Sequence, residues 1–222
     1  AMEAVAMIEK ELGVKLRIGD LYLYRNVQKL EAYLAIRLSE TAALPMSQQQ
    51  GSEILPAPER EYYPLTPAQK SIYFQSQLDA QGLAYHMAGA FQLPAQVDCE
   101  KLLNAFRRLI ATDDVFRTFF CQVEGQIYQK IAPTVSFDLP WLSAQSFEEA
   151  AQLFLRPFDL NHAPLLRAAL WRDDTDRLLL FIDIHHSISD GVSTPLLMER
   201  IGQFYAGQKL DIGPITYKDY AV

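Results

Sequence analysis

The 222-residue sequence predicts an α+β, or mixed α/β, fold for its larger part, and three observations carry this. Capping signatures stand ahead of apolar stretches of helical period, and short β-branched and aromatic runs bounded by turn residues lie between them. The apolar run Leu178 to Ile184 ends in His185-His186-Ser187-Ile188-Ser189-Asp190-Gly191, so titratable groups sit at a strand end.

The elements follow in order. Thr66-Pro67-Ala68-Gln69 places a capping hydroxyl, a proline at the first helical position and a glutamine three residues after the cap, which predicts a helix to about Leu78. Residues 88–93 fit a strand. Asp98 caps a helix whose Leu102, Leu103, Phe106, Leu109 and Ile110 form one apolar face. Strands are expected over 115–122 and 126–131, and Ser146-Phe147-Glu148-Glu149 is a capping box for a helix to about Leu155. Leu165–Trp171 and Arg177–Ile184 read as paired strands around the turn-rich Asp173-Asp174-Thr175-Asp176. Thr194 and Pro195 open a last helix that Gly207 closes.

The first 60 residues read differently. Apolar positions at helical spacing (Met2, Val5, Ala6, Ile8, Leu12) precede Gly13, and the pattern returns over 27–38 with Val27, Leu30, Leu34 and Leu38. Residues 41–60 hold Pro45, Pro56, Pro58 and the polar run Ser47-Gln48-Gln49-Gln50-Gly51-Ser52, with no period. This is the composition of a linker, whose roughly 20 residues reach about 65 Å when fully extended.

Composition narrows the function classes. A formal charge of -7 argues against nucleic acid or an anionic membrane as partner. With no signal peptide and no apolar run of spanning length, the expected location is cytoplasmic. Cys99 and Cys121 form no Cys-x-x-Cys and no disulfide framework, and are read as buried thiols. No metal site is expected, because adjacent strand histidines diverge and no third ligand stands at a recognisable spacing.

The chemistry concentrates at the histidine pair. Successive strand side chains point to opposite faces, so one imidazole faces a cleft while the other turns into the core. An imidazole is suited to proton transfer near neutral pH, and the Asp190-Gly191 turn lets backbone approach its substrate. Ser189 and Ser193 read as turn and cap residues, since no Gly-x-Ser-x-Gly elbow accompanies them.

His-His-x-x-x-Asp-Gly at 185–191 resembles the active-site signature of the condensation domains of non-ribosomal peptide synthetases, relatives of chloramphenicol acetyltransferase. Tyr63-Pro64-Leu65-Thr66-Pro67-Ala68-Gln69 with Ile72-Tyr73-Phe74 is similar to the family's opening motif, Val115 to Phe120 to its second, and Ile215 to Val222 to the one after the histidines. The resemblance implies the N-terminal lobe of a chloramphenicol acetyltransferase-like fold over 61–222, roughly half of a complete domain. Residues 1–40 resemble the C-terminal part of a peptidyl carrier protein, with 41–60 linking the two. The carrier serine that bears 4'-phosphopantetheine would then stand two or three residues before Ala1.

The function so implied is condensation. The α-amino group of a downstream carrier-bound aminoacyl thioester attacks an upstream peptidyl or aminoacyl thioester. The implied partners are an upstream adenylation domain and carrier, their downstream counterparts, and the second lobe. His186 matches the catalytic histidine, acting as general base or positioning the amine and stabilising the charged tetrahedral species. Gly191 matches a small residue whose N–H lies near the reacting carbonyl. His185, Asp190 and Arg117 are implied as structural support, Asp190 pairing with an arginine in the family. Here the second motif reads Thr112-Asp113-Asp114-Val115-Phe116-Arg117-Thr118, so its usual first arginine is replaced by Thr112 and Asp190 must find another cation or a different network. Epimerisation uses the same motif and remains an alternative, as does a non-catalytic docking fragment; a stand-alone coenzyme A acyltransferase fits less well. Without its second lobe the fragment is expected to be inactive.

Overall fold

The computed structural model describes residues 54–210, 213 and 215–222, together with Leu30, Glu31, Tyr33 and Leu34. The chain divides into two units, Ala1–Glu53 and Ile54–Val222. In the first, the four described residues are helical and fall in the stretch whose apolar period predicts a helix. The rest of the carrier-like reading, and the linker up to Glu53, lie outside the described residues.

The second unit runs β1 (Tyr63–Pro64), α1 (Pro67–Leu78), β2 (His86–Leu93), α2 (Cys99–Thr112), a 3-10 turn (Asp114–Arg117), β3 (Thr118–Val123), β4 (Gln126–Ile131), α3 (Phe147–Phe154), β5 (Leu166–Arg172), β6 (Leu178–His185), α4 (Ser193–Tyr205) and α5 (Tyr217–Tyr220). Local chemistry sets the helix starts. Thr66 and Gln69 complete a capping box, Asp98 accepts from the Lys101 N–H at 3.0 Å, and Ser146 accepts from that of Glu149 at 3.2 Å. Gly207, at φ 82°, follows the last turn of α4 in a conformation that costs other residues a Cβ clash.

Two antiparallel three-stranded sheets result, in the orders β1-β4-β3 and β2-β6-β5. In the second, Met87 pairs with Ile184, His86 with His185, and Arg167 with Asp183. Both faces of β6 are buried, which is why it reads as a nearly continuous apolar run instead of an alternating one. Leu178, Leu180, Ile182 and Ile184 enter the main core with Leu102, Phe106 and Leu109 of α2 and Leu197 and Ile201 of α4. On the opposite face Phe181 joins Ala169, Trp171 and the α3 residues Ala150 and Phe154.

The second-motif stretch departs from expectation. Residues 115–117, predicted as the start of a strand, form the 3-10 turn, because the Asp113 carboxylate accepts from the Val115 N–H and offers the backbone a local alternative to the ladder. β2 begins two residues earlier than predicted, and α4 starts at Ser193. Cys99 and Cys121 are unpaired, and half-buried where the sequence predicts burial.

Candidate active site

The four motif stretches meet around one cavity of about 390 Å3. Its wall is formed by Gln69 and Ile72 of α1, Val115 and Phe116 of the 3-10 turn, residues 186–190, Ser193, Leu196 and Arg200 of α4, and Ile215 to Tyr217. Thr66 and Tyr217, from the first and last motifs, share a hydrogen bond at 3.3 Å. Buried Asp219 accepts from the backbone N–H groups of Ala57 (2.8 Å) and Thr216 (2.5 Å).

The histidines separate as strand alternation requires. His186 is exposed on the cavity wall, and its backbone N–H donates to the Tyr85 carbonyl at 2.8 Å. His185 is buried, with Nδ1 2.7 Å from the Ser187 hydroxyl and Nε2 3.2 Å from that of Ser76 on α1. Burial, then the charge of neighbouring His86, pushes its pKa down to about 4, so the ring is neutral at physiological pH.

Beneath His185 lies a charged cluster that the sequence analysis does not anticipate. Asp183 has no exposed surface; its Oδ2 faces His86 Nδ1 at 2.7 Å and accepts from Arg167 Nε at 3.1 Å. His86 Nε2 lies 2.9 Å from the Gly82 carbonyl, so both ring nitrogens face acceptors. Phe158 stacks on His86 with centroids 4.9 Å apart and lies 3.8 Å from the Arg167 guanidinium. Asp183 Oδ1 is buried without a partner among the described residues. The signal is present in the run Leu-Leu-Leu-Phe-Ile-Asp-Ile, since a carboxylate on a strand buried on both faces demands cations.

Asp190 resolves its missing arginine through a different network. Its Oδ1 accepts from the backbone N–H of Val192 (3.1 Å) and of Ser193 (2.8 Å), and from the Ser193 hydroxyl (2.6 Å), fastening the motif loop to the start of α4. The Ser193 hydroxyl bond, chiefly, holds its carboxyl below the usual range. Arg117 lies elsewhere: it donates to the carbonyls of Ile110 (3.0 Å) and Ala132 (2.7 Å) and pairs with Asp114, which also receives Lys218. Arg117 therefore supports the second motif and its 3-10 turn, not the Asp190 loop. Arg200 brings a cation to the cavity wall, where its Nη1 donates to Asp113 at 2.5 Å. Burial nevertheless leaves the Asp113 carboxyl above its ordinary range. Gly191 has open space where a Cβ would stand, so nothing among the described residues demands glycine there.

Comparison with known proteins supplies the family and the fold. The chain is 34% identical over 223 residues to bacitracin synthase 2 of Bacillus licheniformis and 33% identical over 224 residues to gramicidin S synthase 2 of Brevibacillus brevis. Both alignments cover all of this chain, but only 8% of the first protein and 5% of the second. Among solved structures, the X-domain in complex with OxyB from teicoplanin biosynthesis matches with a TM-score of 0.66 at 21% identity, over 76% of this chain and 39% of that one. The first condensation domain of the calcium-dependent antibiotic synthetase, in complex with a substrate analogue, matches with 0.58 at 23% identity, over 68% of this chain and 40% of that one. At such identities these structures speak to the fold alone, which is that of condensation domains. Residues 59–222, which hold all four motifs and the cavity they enclose, match the condensation domain family, and to that family the chain belongs.

Proposed function

We propose that the chain contributes the N-terminal lobe of a domain that forms amide bonds between carrier-bound acyl groups. The observation that carries this is His186, exposed on the wall of a cavity built from all four motif stretches, while the adjacent His185 is buried and neutral. The substrates in this reading are two thioesters on 4'-phosphopantetheine arms of separate carriers. The downstream α-ammonium loses a proton, its nitrogen adds to the upstream carbonyl, the C–S bond breaks, and the upstream arm leaves as a thiol. His186 takes the proton from the amine, or holds the amine in place and offsets the charge that forms. Asp190 holds the motif loop to α4, and Gly191 leaves room beside the reacting carbonyl.

The reading extends to the first 60 residues, with 1–40 as the end of a carrier and 41–60 as a linker. Its support is that the synthetase alignments span the whole chain, whereas the family match begins at residue 59. The chain covers about two fifths of the solved condensation domain, so the remaining cavity wall belongs in this reading to a second lobe. Adenylation and carrier domains on either side complete the proposed assembly.

Intact-mass spectrometry tests the proposal, using the chain extended through its second lobe with loaded upstream and downstream carriers. Donor mass should move to the acceptor carrier with His186 and not with His186→Ala. Transfer by neither protein would leave epimerisation, read by solvent deuterium uptake into the donor, or a docking role.

A further inference from the structure

We infer that Ser76 is a positioning residue for His186: it fixes the tautomer of buried His185 and so anchors the strand end that aims the catalytic imidazole. Two independent hydrogen-bond arguments give the same tautomer. A backbone N–H can only donate, and that of Ser187 points at His185 Nδ1 at 3.3 Å, so Nδ1 carries a lone pair. On the other side of the ring, the single Ser76 hydroxyl proton goes to the Ile72 carbonyl at 2.8 Å. Toward His185 Nε2, 3.2 Å away, Ser76 can then only accept, so Nε2 carries the proton.

The resulting chain is directional. His185 Nε2–H donates to Ser76, Ser76 donates to Ile72, and the Ser187 hydroxyl and N–H both donate to Nδ1. With the proton on Nδ1 instead, the Ser187 N–H would face another donor, and Nε2 would face an oxygen with no proton to give. The His185 to Ser187 turn therefore depends on a hydroxyl from α1. His186 sits inside that turn, and its own backbone is held by Tyr85, whose phenol also bonds Gln75 of the same helix. Helix α1 thus grips the motif through adjacent residues, Gln75 by way of Tyr85 and Ser76 by way of His185.

The tautomer stands on geometry alone, whereas its catalytic consequence rests on the condensation reading; two measurements keep them apart. In the first, long-range 1H–15N correlation spectra of the chain labelled with 15N-histidine should show His185 as the neutral Nε2–H form, assigned by its loss in His185→Gln. A protonated Nδ1 in the wild type would overturn the inference, whatever the variants do. Ser76→Ala should give mixed tautomers, and Ser76→Thr, which keeps the hydroxyl, should restore the single form. In the second, the same substitutions go into the synthetase that carries this chain. There Ser76→Ala should lower kcat on the order of 10²-fold with KM unchanged, as for a misplaced catalytic group, and Ser76→Thr should restore it. An unchanged tautomer and kcat in Ser76→Ala would sink the proposal. Absence of condensation in the wild-type synthetase would count against the function and leave the spectra to decide the tautomer.

Discussion

The His186 N–H donates to the Tyr85 carbonyl at 2.8 Å, so the first residue past β6 is tied to the residue just before β2. The imidazole carried on this tie is exposed and stands outside the core clusters. His186→Ala should therefore lower condensation about 10²- to 10⁴-fold, the usual contribution of a proton-transfer group. Its stability should stay within about 0.5 kcal/mol of wild type. A matched pair of carrier-transfer assays and urea melts checks both halves.

Asp183 should behave in the opposite way. Substitution by Ala leaves Arg167 and His86 buried beside one another with no anion, and breaking such a pair costs about 3 to 5 kcal/mol. The measurement is the urea midpoint at unchanged m-value, and a loss below about 1 kcal/mol would show that water already reaches the cluster.

Acid should weaken the fold through His185. Its native pKa of about 4 lies below the ordinary value of 6.5, so between these values the unfolded chain binds more protons and stability rises with pH. Stability is complete above about pH 6.5 and falls as the pH drops toward 4, by on the order of 3 kcal/mol. His185→Gln should flatten that slope in chemical-denaturation curves taken at a series of pH values, even where its stability at pH 7 is lower.

Asp190 anchors the loop from a partly solvated position, so its removal should be tolerated. Asp190→Ala should cost about 1 kcal/mol, the usual worth of a cap, with Ser193→Ala costing less because the backbone donors remain. Thermal melts of the two variants test this order. A folded Asp190→Ala without transfer activity would assign the carboxylate more than an architectural role.

Those features whose causes are local are legible in the sequence. The Thr66 to Gln69 capping box and the caps at Asp98 and Ser146 act within three residues, and strand alternation alone separates His185 from His186. The 3-10 turn departs from its expected strand because Val115-Phe116 has strand-like character, while the decisive group is the Asp113 side chain just before it. The His86 contact with Asp183 and the Ser76 bond to His185 escape the sequence for another reason: their partners lie 97 and 109 positions apart. A sequence shows that a buried carboxylate needs a cation, but not which one.

That separation also sets when the site comes into being. At 5 to 20 residues per second, roughly 5 to 20 s of translation pass between Ser76 and His185. Helix α1 can form early, yet the Ser76 hydroxyl meets its imidazole partner only once β6 is made and inserted between β2 and β5. Non-local pairings of this kind close large loops and slow folding. These long-range bonds thus make the surroundings of His186 a late product of the folding reaction, and a chain halted before β6 lacks the cavity wall on which His186 stands.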